Sequence, residues 1–243
     1  MICDAHCHMD LMDDMQELID GIRNSNMSLF AVGTTPKAYS REIHFCRNTK
    51  NIHVGLGMHP QLISSGYDDM QLFKSLIEEC HYIGEVGLDF SKRYIHTKEL
   101  QIKVFSEIIN LCEQYGEKVI SIHSLKSASI VIDILRTYKS QKNNRYIFHW
   151  FTGSMPQLKK AIELGCYFSI NPGMLKTKAG IEVIKTVPID HMLLETDAPF
   201  ALKVQHIDEI EKELKRNMSM ISDVVGFDIS DTIYENSKEV FHY

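Results

Sequence analysis

Short apolar or β-branched runs recur along the whole chain, at residues 2–8, 29–33, 52–58, 82–87, 119–123, 146–149, 166–170 and 191–196. Each has the length of a buried strand, and the segments between them carry helical periodicity. The clearest lies at 97–115, where Leu100, Val104, Ile108, Leu111 and Tyr115 fall on one face. Thr97 can cap its start, and Gly116 stands where a helix end favours a left-handed residue. A later segment places Ile207, Ile210 and Leu214 on one side, with Glu211 and Lys215 four apart in the order that supports a helix. Strand and helix alternating throughout imply a parallel sheet with right-handed crossovers. Eight repeats predict an α/β fold closed into a (β/α)8 TIM barrel, one domain over 1–243. The rival, an open doubly wound sheet, usually carries a glycine-rich first turn. Here Gly55-Leu56-Gly57 runs into Met58-His59-Pro60 and the third glycine is missing.

Composition narrows this picture. With 243 residues and 44% hydrophobic content the chain can build one sizeable core. No basic segment followed by an apolar stretch opens it, and no apolar run reaches membrane-span length, so a cytoplasmic protein without membrane contact is expected. The six cysteines are scattered without a C-x-x-C pair and read as reduced core thiols. A net charge of −6 argues against a broad basic surface for long duplexes, though bound metal ions can still make a small site positive.

In such a barrel the active site lies at the C-terminal ends of the strands. His6 and His8 end the first run, His59 follows the third, Glu85 ends the fourth, His123 the fifth and His149 the sixth, and Asp197 follows the eighth. Singly, each has an ordinary reading: a hydrogen-bonded core histidine, a structural ion pair, a turn-capping aspartate. Jointly they are hard to assign to packing. His6 and His8, two apart, leave the same strand face and can chelate one metal, with Asp4 on that face and Cys7 on the other. Glu85 within an apolar run is costly unless paired or metal-bound. His59 is a substrate contact, a support for the ligands, or structural. Trp150 and Phe151 can stack on a base or pack the rim. Lys92, Arg93 and Lys126 can meet phosphate or stand solvated, and Asn171 can orient a substrate or fix the Asn171-Pro172-Gly173 turn.

Ordered motifs carry a family resemblance. Asp4-Ala5-His6-Cys7-His8-Met9-Asp10 resembles D-x-H-x-H-x-D, and Gly57-Met58-His59-Pro60 resembles G-x-H-P. Gly84-Glu85-Val86-Gly87-Leu88-Asp89 is similar to G-E-x-G-L-D, with Gln101 and Phe105 on the following helix. Phe148-His149-Trp150-Phe151-Thr152-Gly153 resembles F-H-x-F-S-G, and Leu194-Glu195-Thr196-Asp197-Ala198-Pro199 resembles L-E-T-D-x-P. These are the motifs of the TatD family of metal-dependent deoxyribonucleases. The resemblance implies a barrel of the metal-dependent hydrolase type with two divalent metal ions (Mg2+, Mn2+ or Zn2+). It places His6, His8 and Asp197 on one ion and His123 and His149 on the other, with Glu85 reaching both. A water would be the nucleophile and Asp197 would steer its proton, so Glu85 and Asp197 are the catalytic pair. His59, Lys126, Trp150 and Asn171 are the candidate substrate contacts.

Two departures bear on the substrate. Where the family has I-H-x-R this chain has Ile122-His123-Ser124-Leu125-Lys126, and no R-x-x-x-N-E-P stretch follows Pro199. Both elements help hold phosphate in the family. The expected substrate is a DNA strand end or single strand. His149-Trp150-Phe151 and Ile170-Asn171-Pro172-Gly173-Met174 resemble a subgroup, the TatD-type nucleases of Qat anti-phage defence systems, which implies other Qat-system proteins as partners. Two rival readings stand beside this one: an amidohydrolase-type enzyme cleaving a C–N or ester bond with the same metal site, and a non-catalytic subunit of a defence complex.

Overall fold

The computed structural model describes residues 1–63, 69–140 and 142–242. Eight strands alternate with helices: β1 (Ile2–Cys7), β2 (Met27–Val32), β3 (Ile52–Gly55), β4 (Tyr82–Gly87), β5 (Val119–His123), β6 (Arg145–His149), β7 (Tyr167–Ile170) and β8 (Met192–Leu194). The α-helices are α1 (Met15–Arg23), α2 (Pro36–Cys46), α3 (Pro60–Ile63), α4 (Met70–Leu76), α5 (Lys98–Tyr115), α6 (Ala128–Tyr138), α7 (Met155–Glu163), α8 (Lys178–Thr186), α9 (Ile207–Val225) and α10 (Ser230–Phe241).

Strands β1 to β3 pair in sequence order, as do β4 to β8, all parallel. Leu56 links the two groups, donating to Tyr82 O at 2.9 Å and accepting from Gly84 N at 3.0 Å. The remaining seam runs between β1 and β8. Asp197 N donates to His6 O at 3.0 Å, and His8 N to Ala198 O at 2.9 Å. Asp4, fully buried, accepts there from Thr196 N at 3.0 Å and from the Thr196 hydroxyl. The result is the expected (β/α)8 barrel.

Two apolar layers follow from strands buried on both faces. Cys3, Ala5, Phe30, Val32, Val119 and Leu193 fill the barrel interior together with Phe241 of α10, which plugs the floor. The opposite strand faces pack against the helices in the larger cluster, which holds Cys7, Leu29, Ile83 and Phe148. All six cysteines are buried and free. Helix α5 spans nearly the predicted range, but its buried stripe is Gln101, Val104, Phe105, Ile108, Ile109 and Cys112. Leu100 and Tyr115, expected inside, are exposed. Gln101 is drawn inward because it holds the loop after β4, through Asp89 N at 2.8 Å and Tyr94 O at 3.0 Å. In α9, Ile210 and Leu214 are buried and Lys215 meets Glu211 at 2.7 Å, as the spacing predicts.

Two strands carry irregularities that set the site. From Asp4 to Cys7 β1 advances three residues while β2 advances two, Leu29 to Ala31. Ala5 therefore faces the inner cluster although His6 still reaches the rim, and Asp4 turns to Thr196 instead of sharing the His6 face as strict alternation predicts. In β4 the step from Ile83 to Val86 is matched by Ile120 to Ile122 in β5. Gly84 sits in this bulge with φ +150°, and a Cβ there would lie 2.9 Å from Ser121 Cβ. Glycine lets β4 press against β5 immediately before Glu85.

Candidate metal centre

Glu85 lies at the middle of the barrel mouth, and its two oxygens face different histidines. Oε2 is 3.5 Å from His6 Nε2 and 3.2 Å from His8 Nε2, while Oε1 is 2.7 Å from His123 Nδ1. Asp197 Oδ1 approaches from β8, 3.9 Å from His6 Nε2 and 3.7 Å from His8 Nε2. The His149 ring stacks on His6 with centroids 3.7 Å apart. The six residues expected as ligands thus converge on one spot, although their positions run from 6 to 197.

Neighbouring side chains fix which nitrogen each ring turns inward. Ser121 Oγ lies 2.8 Å from His6 Nδ1, leaving Nε2 to the cleft. Glu195 holds His149 Nδ1 at 2.9 Å and also accepts from the Ser169 hydroxyl. Asp89 holds His123 Nε2 at 3.2 Å, so His123 turns Nδ1 inward instead. Such partners orient a metal-binding imidazole and raise its basicity. Reading the sequence as a row of strand ends missed Asp89, Ser121 and Glu195, since each supports a histidine on another strand. The available signal was a carboxylate inside each quoted motif, Asp89 in Gly87-Leu88-Asp89 and Glu195 in Leu194-Glu195-Thr196.

His59 behaves differently. Its Nδ1 accepts from Gln61 N at 3.2 Å, so the neutral ring carries its proton on Nε2, which meets Glu85 Oε2 at 3.2 Å. Burial pulls its pKa down, which keeps the ring neutral. His59 is therefore an N–H donor beside the cluster rather than a further ligand.

The electrostatics test whether cations fit. His6 Nε2 is buried without a hydrogen-bond partner among the described residues. Burial, reinforced by the charges of Glu195 and Glu85, pushes the Asp197 carboxyl up to about 7 despite His149. Burial opposes charge on His123 and His149 as well, yet their carboxylate partners hold them up at about 9 and about 10. Burial, by contrast, keeps His6 unprotonated, and Glu85 is held ionised against burial by His59 and His6, so the centre keeps both a neutral nitrogen donor and a carboxylate. Four imidazoles and two carboxylates, with an orphaned nitrogen aimed at them, fit divalent cations. His6, His8 and Asp197 would hold one, His123 Nδ1 and His149 Nε2 another, with Glu85 reaching both. His6, His8 and Glu85 have donor atoms within 4.8 Å of one another; so do His6, His149 and Glu195, and His59, Glu85 and His123, but there Glu195 and His59 are engaged by hydrogen bonds from Ser169 and Gln61.

The cleft above has two lobes that share His123, His149 and Asp197. One, of about 440 Å³, includes His59, Gln61, Thr34 and Phe200; the other, of about 490 Å³, includes Trp150, Leu125, Met174 and Val183. Among the described residues no lysine or arginine lines either lobe. Lys126 is exposed, with φ +56°, outside both, and Lys92 and Arg93 are exposed as well. Asn171 is fully buried, and its Oδ1 accepts from Gly173 N at 2.8 Å, the turn-fixing arrangement. Both aromatics border the cleft, but Phe151 is buried against Phe148 and Phe168, whereas Trp150 is half-buried.

A (β/α)8 barrel with this His and carboxylate set at its C-terminal mouth defines a metal-dependent hydrolase. The profile of the family described as TatD related DNase matches residues 3–242, and the chain belongs to that family. A deoxyribonuclease Tat-D of Schizosaccharomyces pombe is 32% identical over 117 residues, 48% of this chain and 37% of that protein. YabD of Bacillus subtilis, a metal-dependent hydrolase, is 26% identical across 99% of both chains. In structure, the TatD homologue YJJV of Escherichia coli superposes with a TM-score of 0.85 at 19% identity, covering 100% of this chain and 98% of the other. No helix among the described residues is long and apolar enough to cross a membrane.

Proposed function

We propose that the protein is a nuclease hydrolysing DNA phosphodiester bonds at a strand end or in a single strand. The observation that carries the reading is Glu85, whose two oxygens face separate histidine groups in a cluster suited to two cations. Divalent cations in such a donor set supply Lewis acidity toward a phosphoryl oxygen and activate water at neutral pH. Asp197, turned toward His6 and His8, takes the proton of the attacking water. His59 offers its Nε2–H to a phosphate oxygen once that proton is released from Glu85. With a net charge of −6 and no lysine or arginine among the described lining residues, the substrate is held at the scissile phosphate and its immediate neighbours rather than along a duplex.

The test is a metal-reconstituted assay on 5′- and 3′-labelled single- and double-stranded DNA, with elemental analysis of the same sample. The expected result is metal-dependent cleavage with about two ions per chain. Loss of all cleavage at full metal occupancy would overturn the reading. The missing cationic lining gives one rival specific support, hydrolysis of a C–N or ester bond by the same ligands. Turnover of aryl esters or N-acyl amino acids without any DNA cleavage would establish that alternative. A role in anti-phage defence, with Qat-system partner proteins, is supported by the Trp150 and Asn171-Pro172-Gly173 motifs. It predicts that Asp197→Asn abolishes phage protection by the intact system without lowering protein levels.

A further inference from the structure

The apolar lobe has a shape and chemistry of its own. It opens at His123, His149 and Asp197 and runs between the turn after β6, the turn after β7 and the start of α8. Leu125, Trp150, Met174, Ala179 and Val183 give it apolar walls, and the ligand Asp197 is the only carboxylate among its described lining residues. At about 490 Å³ it is large enough for a small organic group. The indole of Trp150 forms one wall at a short distance from the chemistry, its ring centroid 6.4 Å from that of His149. That placement is built in. A Cβ at Gly173 would lie 2.6 Å from Trp150 Cζ2, so only glycine admits the indole there.

A second observation gives the lobe a polar point. Ser124 lines it and is 4% exposed, yet its Oγ is buried without a hydrogen-bond partner among the described residues. A buried hydroxyl left unpaired is costly, and one on a residue in a cavity wall can gain a partner by rotating toward a ligand atom in the lobe. The complement is a flat, uncharged ring with a hydrogen-bonding edge.

We infer that the apolar lobe is a nucleobase subsite: the base next to the scissile phosphate lies against Trp150 and offers its polar edge to Ser124. The inference rests on the nuclease reading for its substrate. It adds a recognition element that replaces cationic phosphate contacts with stacking, and Trp150 and Ser124 are its specificity-determining residues.

Trp150 is the sole tryptophan of the chain, so its emission reports the lobe directly. The protein, stripped of metal with chelator to prevent turnover, is titrated with deoxynucleosides, with deoxyribose and with inorganic phosphate. Nucleosides should quench Trp150 saturably, and deoxyribose and phosphate should not. Ala179→Phe, at an exposed position in the first turn of α8, narrows the lobe without touching the core and should abolish the quenching. Ser124→Ala should weaken nucleoside binding several-fold. In cleavage assays, Trp150→Ala should lower kcat/KM at least about tenfold on ordinary oligonucleotides. It should make no difference on oligonucleotides with a baseless sugar beside the cleaved bond. Absence of saturable quenching in an enzyme that cleaves DNA overturns the subsite and leaves the nuclease reading intact. Equal cleavage of normal and baseless substrates by the unaltered protein overturns it likewise. Quenching without cleavage of any DNA sustains a base-binding lobe and removes the nuclease reading.

Discussion

Replacing Glu195 by glutamine probes the support of the metal centre without touching a ligand. Glu195 is completely buried, holds His149 Nδ1 at 2.9 Å and takes the Ser169 hydroxyl on the same oxygen. Glutamine preserves the volume and an acceptor for the Nδ1–H but removes the negative charge. That charge is what offsets burial and holds His149 at about 10, and it makes Nε2 a stronger donor to a cation. Loss of a partner of this kind typically weakens metal binding about 10- to 100-fold, which corresponds to about 1.4–2.7 kcal/mol. The assay is competition for Zn2+ or Mn2+ against a chromophoric chelator, with thermal melts in chelator to verify that the metal-free fold persists. Ser169→Ala, which leaves the charge in place, should have the smaller effect. Unchanged metal affinity in Glu195→Gln would refute the assignment of His149 as a ligand oriented by Glu195.

Four further outcomes are expected. Asp197→Asn should lose about two to four orders of magnitude in turnover while keeping most bound metal, since five other ligands remain. Glu85→Gln should lose metal and activity together, and normal turnover in Asp197→Asn at full occupancy would remove Asp197 from proton transfer. Cys7→Ala should retain its metal and lose about 1 kcal/mol of stability, because Cys7 faces the helices; abolished metal binding in a folded variant would contradict the register of β1. On the barrel floor, burial first, and then His81 and His242, depress His53 to about 4. The unfolded chain, with an ordinary histidine pKa near 6.5, binds the proton more readily, so this contribution is complete above about 6.5 and is lost as pH falls toward about 4. The loss is about 3 kcal/mol, and melting of His53→Asn should be less acid-sensitive than that of the unaltered protein between those limits; equal sensitivity would rule His53 out.

Much of the architecture is legible in the sequence because each strand is buried on both faces and reads as a continuous apolar run. The candidate ligands are legible for a related reason: an ionisable residue ending such a run has few inexpensive explanations. What escapes is set by contacts across the sheet. Local periodicity gives no sign that Gln101 must face inward to hold Asp89 N, so the predicted stripe of α5 is rotated toward Leu100 and Tyr115. Strict alternation places Asp4 beside His6, whereas the bulge in β1 frees it to clasp Thr196. Phe151 and Trp150 look equivalent as neighbours, and only the packing of Phe148 and Phe168 against Phe151 shows which ring is buried and which is half-exposed.

The seam between β1 and β8 joins the beginning of the chain to residues near position 197, and α10 then seals the floor with Phe241. His6 and His8 stand some 190 residues before Asp197 and meet it only across this seam. A fragment cut short of Asp197 keeps the histidines and Glu85 but lacks the acid that the seam brings to them. Closing the barrel and completing the candidate ligand set are therefore one event in folding.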